Sequence, residues 1–192
     1  MYQPKSFDHL LGTPGFSDSL LTNHLALYQG YVTNTNRLSG TLVTFLKEDK
    51  SATPEYAELK RRFGWEYNGM RLHEYYFENM SQQPKTRDTD SSLSKTLQEQ
   101  FGSYELWEKD FRSTGAMRGI GWTILYKDLE TGNLFNTWVT EHDMGHLVGA
   151  TPLLVLDVFE HAYMLDYGIK RADYINAFMN AIDWTIVEQR HD

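Results

Sequence analysis

The chain predicts an α+β fold: an N-terminal antiparallel helical hairpin, followed by a lobe in which helices flank a three-stranded antiparallel sheet. Three observations predict it. Apolar residues recur at spacings of three and four through much of residues 17–80, the period of a helix face. Strand-like runs follow at Gly121-Trp122-Thr123-Ile124-Leu125-Tyr126, at Leu134 to Glu141 and at Pro152 to Leu156, with the turn triplet Thr131-Gly132-Asn133 between the first two. Helical patterns lie on either side of these runs, so the strands have helices to pack against.

The elements follow in order. Ser17 to about Leu46 reads as the first helix, with Leu21, Leu25, Tyr28, Val32, Leu38, Leu42 and Leu46 as its apolar positions. Gly30 and Gly40 weaken it, enough to allow a kink or a break there. The polar turn Glu48 to Ala52 leads to Thr53, which can cap free N–H groups, and to Pro54, which suits a first helical turn. This second helix is expected to reach about Met80, with interruptions near Gly64 and Gly69. Ser81 to Asp90 is polar and aperiodic and reads as a linker, dividing the chain into lobes at 1–83 and 91–192. Leu93 to Phe101 and Tyr104 to Ser113 read as short helices, the second capped by Ser103. Helices near Arg171 to Ala181 and Trp184 to Gln189 close the chain.

Composition narrows the chemistry. There is no cysteine, which excludes disulfides, thiolate metal sites and cysteine nucleophiles, so any metal must be held by nitrogen and oxygen. The formal net charge is −8 with no basic stripe, which argues against nucleic-acid binding. No apolar run is long enough to span a bilayer, and Met1 to Leu10 lacks the pattern of a signal peptide. No membrane partner and a cytoplasmic location are therefore expected. The 12 Tyr, 10 Phe and 5 Trp read mostly as core.

The most definite chemical proposal lies in Leu153-Leu154-Val155-Leu156-Asp157-Val158-Phe159-Glu160-His161-Ala162-Tyr163. An apolar strand delivers a carboxylate to its end, where burial is unfavourable unless the charge is paired or coordinated. His161 follows four residues later, and the two can meet around one point. His24 lies seven residues before Tyr31, close to two helical turns, so both share a face. His73 shares a face with Tyr76, Phe77 and Met80. For His24 and His73 spacing alone favours ordinary core residues over metal ligands. His142, at the end of the second strand, could bond a metal-bound water or be a loop residue. His146 is equally open, and His9 and His191, near the termini, carry no signal. Three imidazoles and one carboxylate would suit a borderline transition metal.

With these residues in view, the chain resembles the iron/manganese superoxide dismutase family. Ala150-Thr151-Pro152-Leu153-Leu154, then Asp157-Val158-Phe159-Glu160-His161-Ala162-Tyr163, then Arg171-Ala172-Asp173-Tyr174 and Asp183-Trp184 carry the likeness. Phe101-Gly102-Ser103, Gly119-Ile120-Gly121-Trp122-Thr123 and His73-Glu74-Tyr75-Tyr76-Phe77 extend it. The resemblance implies that His24, His73, Asp157 and His161 ligate one iron or manganese ion, with solvent in a fifth place. It implies that Tyr31 and His142 act beside that solvent, that Trp122 walls the pocket, that Tyr76 lies around the ligands, and that superoxide is the substrate. Glu160 would reach His161 of a partner subunit in a homodimer.

The chain departs from the family pattern at several places. Phe159 replaces a usual tryptophan, and His24 to Tyr31 is one residue shorter than usual. Tyr28 and Met164 stand where many members have a histidine and a tyrosine that meet at the access funnel across the dimer. Arg71 is a candidate for the positive potential that must offset the chain's net charge near the funnel. His142 stands where a glutamine is common, and Val155 is bulkier than the glycine of manganese members. Both tilt the metal toward iron, while Gly69 pulls the other way. Two rival readings differ in class. A two-histidine, one-carboxylate iron oxygenase would need an organic-substrate pocket. A member of the same fold that lost catalysis would keep the scaffold alone.

Overall fold

The computed structural model describes all of residues 1–192. The helices are α1 (Asp18–Lys47), α2 (Pro54–Glu78), α3 (Ser92–Phe101), α4 (Tyr104–Gly115), α5 (Met164–Tyr167), α6 (Arg171–Ala181) and α7 (Trp184–His191). The strands are β1 (Trp122–Asp128), β2 (Leu134–Val139) and β3 (Ala150–Asp157). Short 3-10 turns occur at Asp8–Leu10 and Glu160–Ala162.

The hairpin forms as its start signals require. Ser17 accepts the Leu20 N–H at the head of α1, and Thr53 accepts the Tyr56 N–H at the head of α2, with Pro54 in the first turn. His24 faces His73 while Tyr31 faces Gly69 and Trp65, so the two helices run antiparallel. Neither is broken. Gly30, Gly40 and Gly64 have open space where a side chain would sit, so they lie away from the packed seam and their weak propensity is carried by the rest of each helix. Gly69 has a different reason to exist. A Cβ there would stand 2.7 and 2.8 Å from Cδ1 and Cε1 of Tyr31, so the missing side chain lets the Tyr31 ring lie directly on α2.

The sheet is antiparallel in the order β2-β1-β3, with Trp122 opposite both Val139 and Asp157. β2 stops two residues short of the expected Glu141. Thr140 N–H bonds Met144 O at 2.9 Å, and Glu141 takes a left-handed φ of +58°, so the chain turns back there. Gly121 is required by close approach as well as by its φ of +140°: a Cβ would fall 2.1 Å from the Val139 carbonyl oxygen.

The end of β3 is held against α2. Asn79 Nδ2 donates to Val155 O at 2.8 Å, and Arg190 of α7 donates to Leu153 O at 2.9 Å and Glu78 Oε2 at 2.8 Å. The stretch 81–90 has no helix or strand, as its composition implies, and is fastened along the C-terminal helices. Ser81 N–H bonds Ala181 O, Trp184 N–H bonds Lys85 O, and Asp88 N–H bonds Glu188 Oε1. One continuous core takes Leu21 and Tyr28 from α1, Phe77 from α2, Trp107 from α4, Leu154 from β3 and Phe178 from α6. No helix is long and apolar enough to cross a membrane.

Candidate metal centre

Four side chains from separate stretches converge where the hairpin meets the sheet. His24 comes from α1, His73 from α2, Asp157 from the last position of β3, and His161 from the 3-10 turn that follows. One ligand atom from each lies within 4.8 Å of all the others. Asp157 Oδ2 is 3.1 Å from His24 Nε2, 3.1 Å from His161 Nε2 and 3.7 Å from His73 Nε2. His24, His73 and Asp157 are buried, while His161 is partly exposed.

The other polar atoms of His73 and Asp157 are already engaged. His73 Nδ1 lies 2.6 Å from the Gly69 carbonyl oxygen. A carbonyl only accepts, so Nδ1 carries the hydrogen and the Nε2 lone pair faces the cluster. That Nε2 is buried without a hydrogen-bond partner. Asp157 Oδ1 accepts the Phe159 N–H at 2.8 Å, and the Asp157 carbonyl accepts from Tyr174 Oη at 2.6 Å, leaving Oδ2 for the cluster.

Electrostatics favour the ligating forms. Burial alone would raise the Asp157 carboxyl, but His161 and His24 outweigh it and hold the group well below the usual carboxylate range. Burial pushes His24 and His73 down despite Asp157, so at neutral pH both rings keep free lone pairs. An orphaned buried nitrogen beside two more imidazoles and an ionised carboxylate is a donor set that fits a divalent or trivalent iron or manganese ion.

Around this cluster, Tyr31 Oη is 2.8 Å from His142 Nε2, and Trp122 Nε1–H donates to His142 Nδ1 at 3.0 Å. An indole nitrogen can only donate, so the neutral His142 ring must carry its hydrogen on Nε2. Burial lowers the His142 pKa to about 4, keeping it neutral. Burial also raises the Tyr31 phenol, with Asp157 reinforcing the effect, so it stays protonated. Tyr76 lies wholly inside, its ring centroid 5.1 Å from that of His24 and its Oη 3.2 Å from that of Tyr174. Glu160 is exposed, in a depression of about 320 Å³ shared with Met164, Ile169 and Arg171.

One sequence expectation is corrected here, that for Arg71. Tyr28, where many members of the family have a histidine, is fully buried, with its Oη donating to Glu74 and accepting from the Lys5 N–H. Arg71 lies away from the site, bound to Glu74 at 2.7 Å and set over Tyr2 and Tyr67. The cation beside the site is Arg62. Its guanidinium lies 3.6 Å over the Trp65 ring and pairs with Glu66 at 2.9 Å, and Trp65 is 4.4 Å from His142. Arg62, Trp65 and Tyr174 were not singled out by sequence reasoning as parts of the site. A signal for Arg62 existed, because residues 62, 66, 69 and 73 form one helical stripe.

Residues 89–190 match the family model described as "Iron/manganese superoxide dismutases, C-terminal domain". The chain belongs to the iron/manganese superoxide dismutase family. It is 34% identical over 191 residues to "Superoxide dismutase [Mn] 2" of Haloferax volcanii, covering 98% of this chain and 92% of that protein. It is also 34% identical to "Superoxide dismutase [Fe]" of Aquifex pyrophilus over 197 residues, 99% of this chain and 91% of the relative. With the protein of the same name from Sulfolobus acidocaldarius it shares 34% over 166 residues, 85% of this chain and 79% of the relative. Membership makes the chain an oxidoreductase and supports one bound iron or manganese ion. Relatives named for each metal share the same level of identity, so likeness does not choose between them.

Proposed function

We propose that the protein is a superoxide dismutase, converting two superoxide anions and two protons into dioxygen and hydrogen peroxide. The observation that carries the reading is the convergence of His24, His73, Asp157 and His161 on one point, with His73 Nε2 buried and otherwise unpartnered. An iron or manganese ion held there would supply a one-electron cycle, accepting an electron from one superoxide and returning it to the next. Three neutral imidazoles and one carboxylate contribute a single negative charge, so a divalent or trivalent ion leaves the site cationic and attractive to an anion.

The surrounding residues handle position and protons. His142 presents Nε2–H, held in that form by Trp122, as a fixed donor next to the ion. Tyr31 Oη accepts from that N–H, which leaves the phenol hydrogen free to be donated toward a developing peroxide. Phe159, stacked on His161 with centroids 5.4 Å apart, keeps one side of the site dry. Arg62 is the proposed guide for the incoming anion against the overall charge of −8.

His142 and the bulk of Val155 support iron as the preferred metal. Exposed Glu160, beside the apolar Met164 and Ile169, supports a homodimer in which Glu160 of one protomer bonds His161 of the other. The test is reconstitution of metal-free protein separately with iron and with manganese. Elemental analysis should find about one ion per chain, as one four-ligand site implies, and superoxide consumption should appear, faster with iron. One ion per chain without superoxide consumption would mean a scaffold that has lost catalysis.

A further inference from the structure

The loop between β2 and β3 carries a second histidine that the reaction does not use. His146 Nε2 lies 2.7 Å from the backbone carbonyl oxygen of His142. That oxygen can only accept, so Nε2 of His146 carries a hydrogen and donates it. On the other side of the ring, His146 Nδ1 lies 2.6 Å from Tyr126 Oη, whose hydroxyl supplies the hydrogen for a neutral ring. Tyr126 and Trp122 both project from β1 and both are buried. Each of the two loop histidines is therefore fastened to β1 by its own aromatic donor.

The loop needs such a fastening. Glu141, immediately before His142, sits at φ +58°, a conformation unfavourable for a residue with a side chain. Gly145 turns at φ +102° with its α-carbon pressed toward Trp138 O, where a Cβ would approach to 3.1 Å. Between these two turns the His142 ring must hold Nε2 2.8 Å from Tyr31 Oη, a hydrogen bond that a small rotation of the backbone would break.

We propose that His146, braced by Tyr126, is a positioning residue for His142. It anchors the His142 carbonyl so that the imidazole stays in reach of Trp122 on one nitrogen and Tyr31 on the other. The functional weight of this brace rests on the reading of His142 as the donor beside the metal. The brace itself does not, and the experiment separates the two.

The protein is labelled with ¹⁵N-histidine and studied metal-free. Two-bond ¹H–¹⁵N spectra read the tautomer of each ring, and solvent exchange reads the protection of each ring N–H. The wild type should show His142 protonated on Nε2 alone, with slow exchange. In His146→Leu the His142 Nε2–H should exchange about tenfold faster or more, the factor that loss of one net hydrogen bond implies, and the second tautomer should appear. Tyr126→Phe should move both readouts the same way. His146→Gln, whose amide N–H can reach the same carbonyl, should restore them toward wild type. After metal loading, His146→Leu should lower kcat about tenfold with metal content unchanged, the usual scale for a residue acting through another. If His146→Leu and Tyr126→Phe both leave His142 exchange and tautomer as in the wild type, the brace is refuted. If His146→Leu fails to fold, Tyr126→Phe and His146→Gln decide on the same readouts. Absence of superoxide consumption by the loaded wild type would overturn the dismutase reading, while the tautomer and exchange readouts would still decide the brace.

Discussion

Gly69→Ala is a small change with a large geometric consequence. The added methyl would meet Tyr31 ring carbons at 2.7, 2.8 and 3.1 Å. Carbon atoms pack at about 3.5–4.0 Å, so the ring or the helix must retreat by about 1 Å. Alanine improves helix propensity by about 1 kcal/mol, while overpacking a tight contact costs about 1–3 kcal/mol, so net destabilisation of about 0–2 kcal/mol is expected. Function should suffer more. A retreat of that size stretches the 2.8 Å contact between Tyr31 and His142 past hydrogen-bond range, and a misplacement of about 1 Å near the chemistry can lower rate about 100-fold. Urea unfolding and superoxide consumption at equal metal content are the two assays. The reasoning fails if Gly69→Ala keeps full activity, or if it loses activity only in proportion to lost fold.

Three further outcomes are expected. His73→Ala should lose bound metal while the metal-free protein still folds, because the side chain forfeits a single hydrogen bond, from Nδ1 to the Gly69 carbonyl, and none at Nε2; unchanged metal by elemental analysis would remove His73 from the site. The unfolded chain protonates His142 near pH 6.5 whereas the folded chain resists until about 4, so the unfolded state binds more protons between these values and stability falls as pH falls through that window. Replacing His142 with Gln should flatten this slope by an amount on the order of 3 kcal/mol across the window, checked by urea unfolding of metal-free protein at pH 7 and pH 4.5. Arg62→Ser should slow superoxide consumption several-fold and weaken its dependence on ionic strength, while Arg71→Ser should change neither; equal effects would refute the assignment of Arg62 as guide.

Much of this arrangement was legible in the residues. The helical stripe of α1, the cap at Thr53-Pro54, the hairpin turn and the Asp157–His161 spacing are local signals, and each maps to an observed element. What escaped depended on partners distant in the chain. A glycine inside a helix reads as a weak point, yet Gly69 is a seat for a ring carried by another helix, which no local pattern announces. Arg71 looked apt because it adjoins His73 in the chain, but two helical residues apart is about 200° around the axis, which sends it to the opposite side. Arg62 is eleven residues away and returns to nearly the same side. The surroundings of Tyr28 were unreadable for a related reason: its polar tip is satisfied inside, by Glu74 and the Lys5 backbone, which lie far from it in the chain. The His142 tautomer was unreadable from the chain because Trp122 and Tyr31, which decide it, lie on different elements.

The four converging side chains have a mechanical meaning as well as a chemical one. They come from two helices, the tip of a strand and the turn after it, so an ion gripping all four would rivet the hairpin to the sheet. Its departure would remove the rivet and leave only the contacts of Asp157 with His24 and His161 to join hairpin and sheet at that point. An ion that binds only the folded arrangement would add its binding free energy to the resistance of that seam to opening, so stability would rise with metal occupancy.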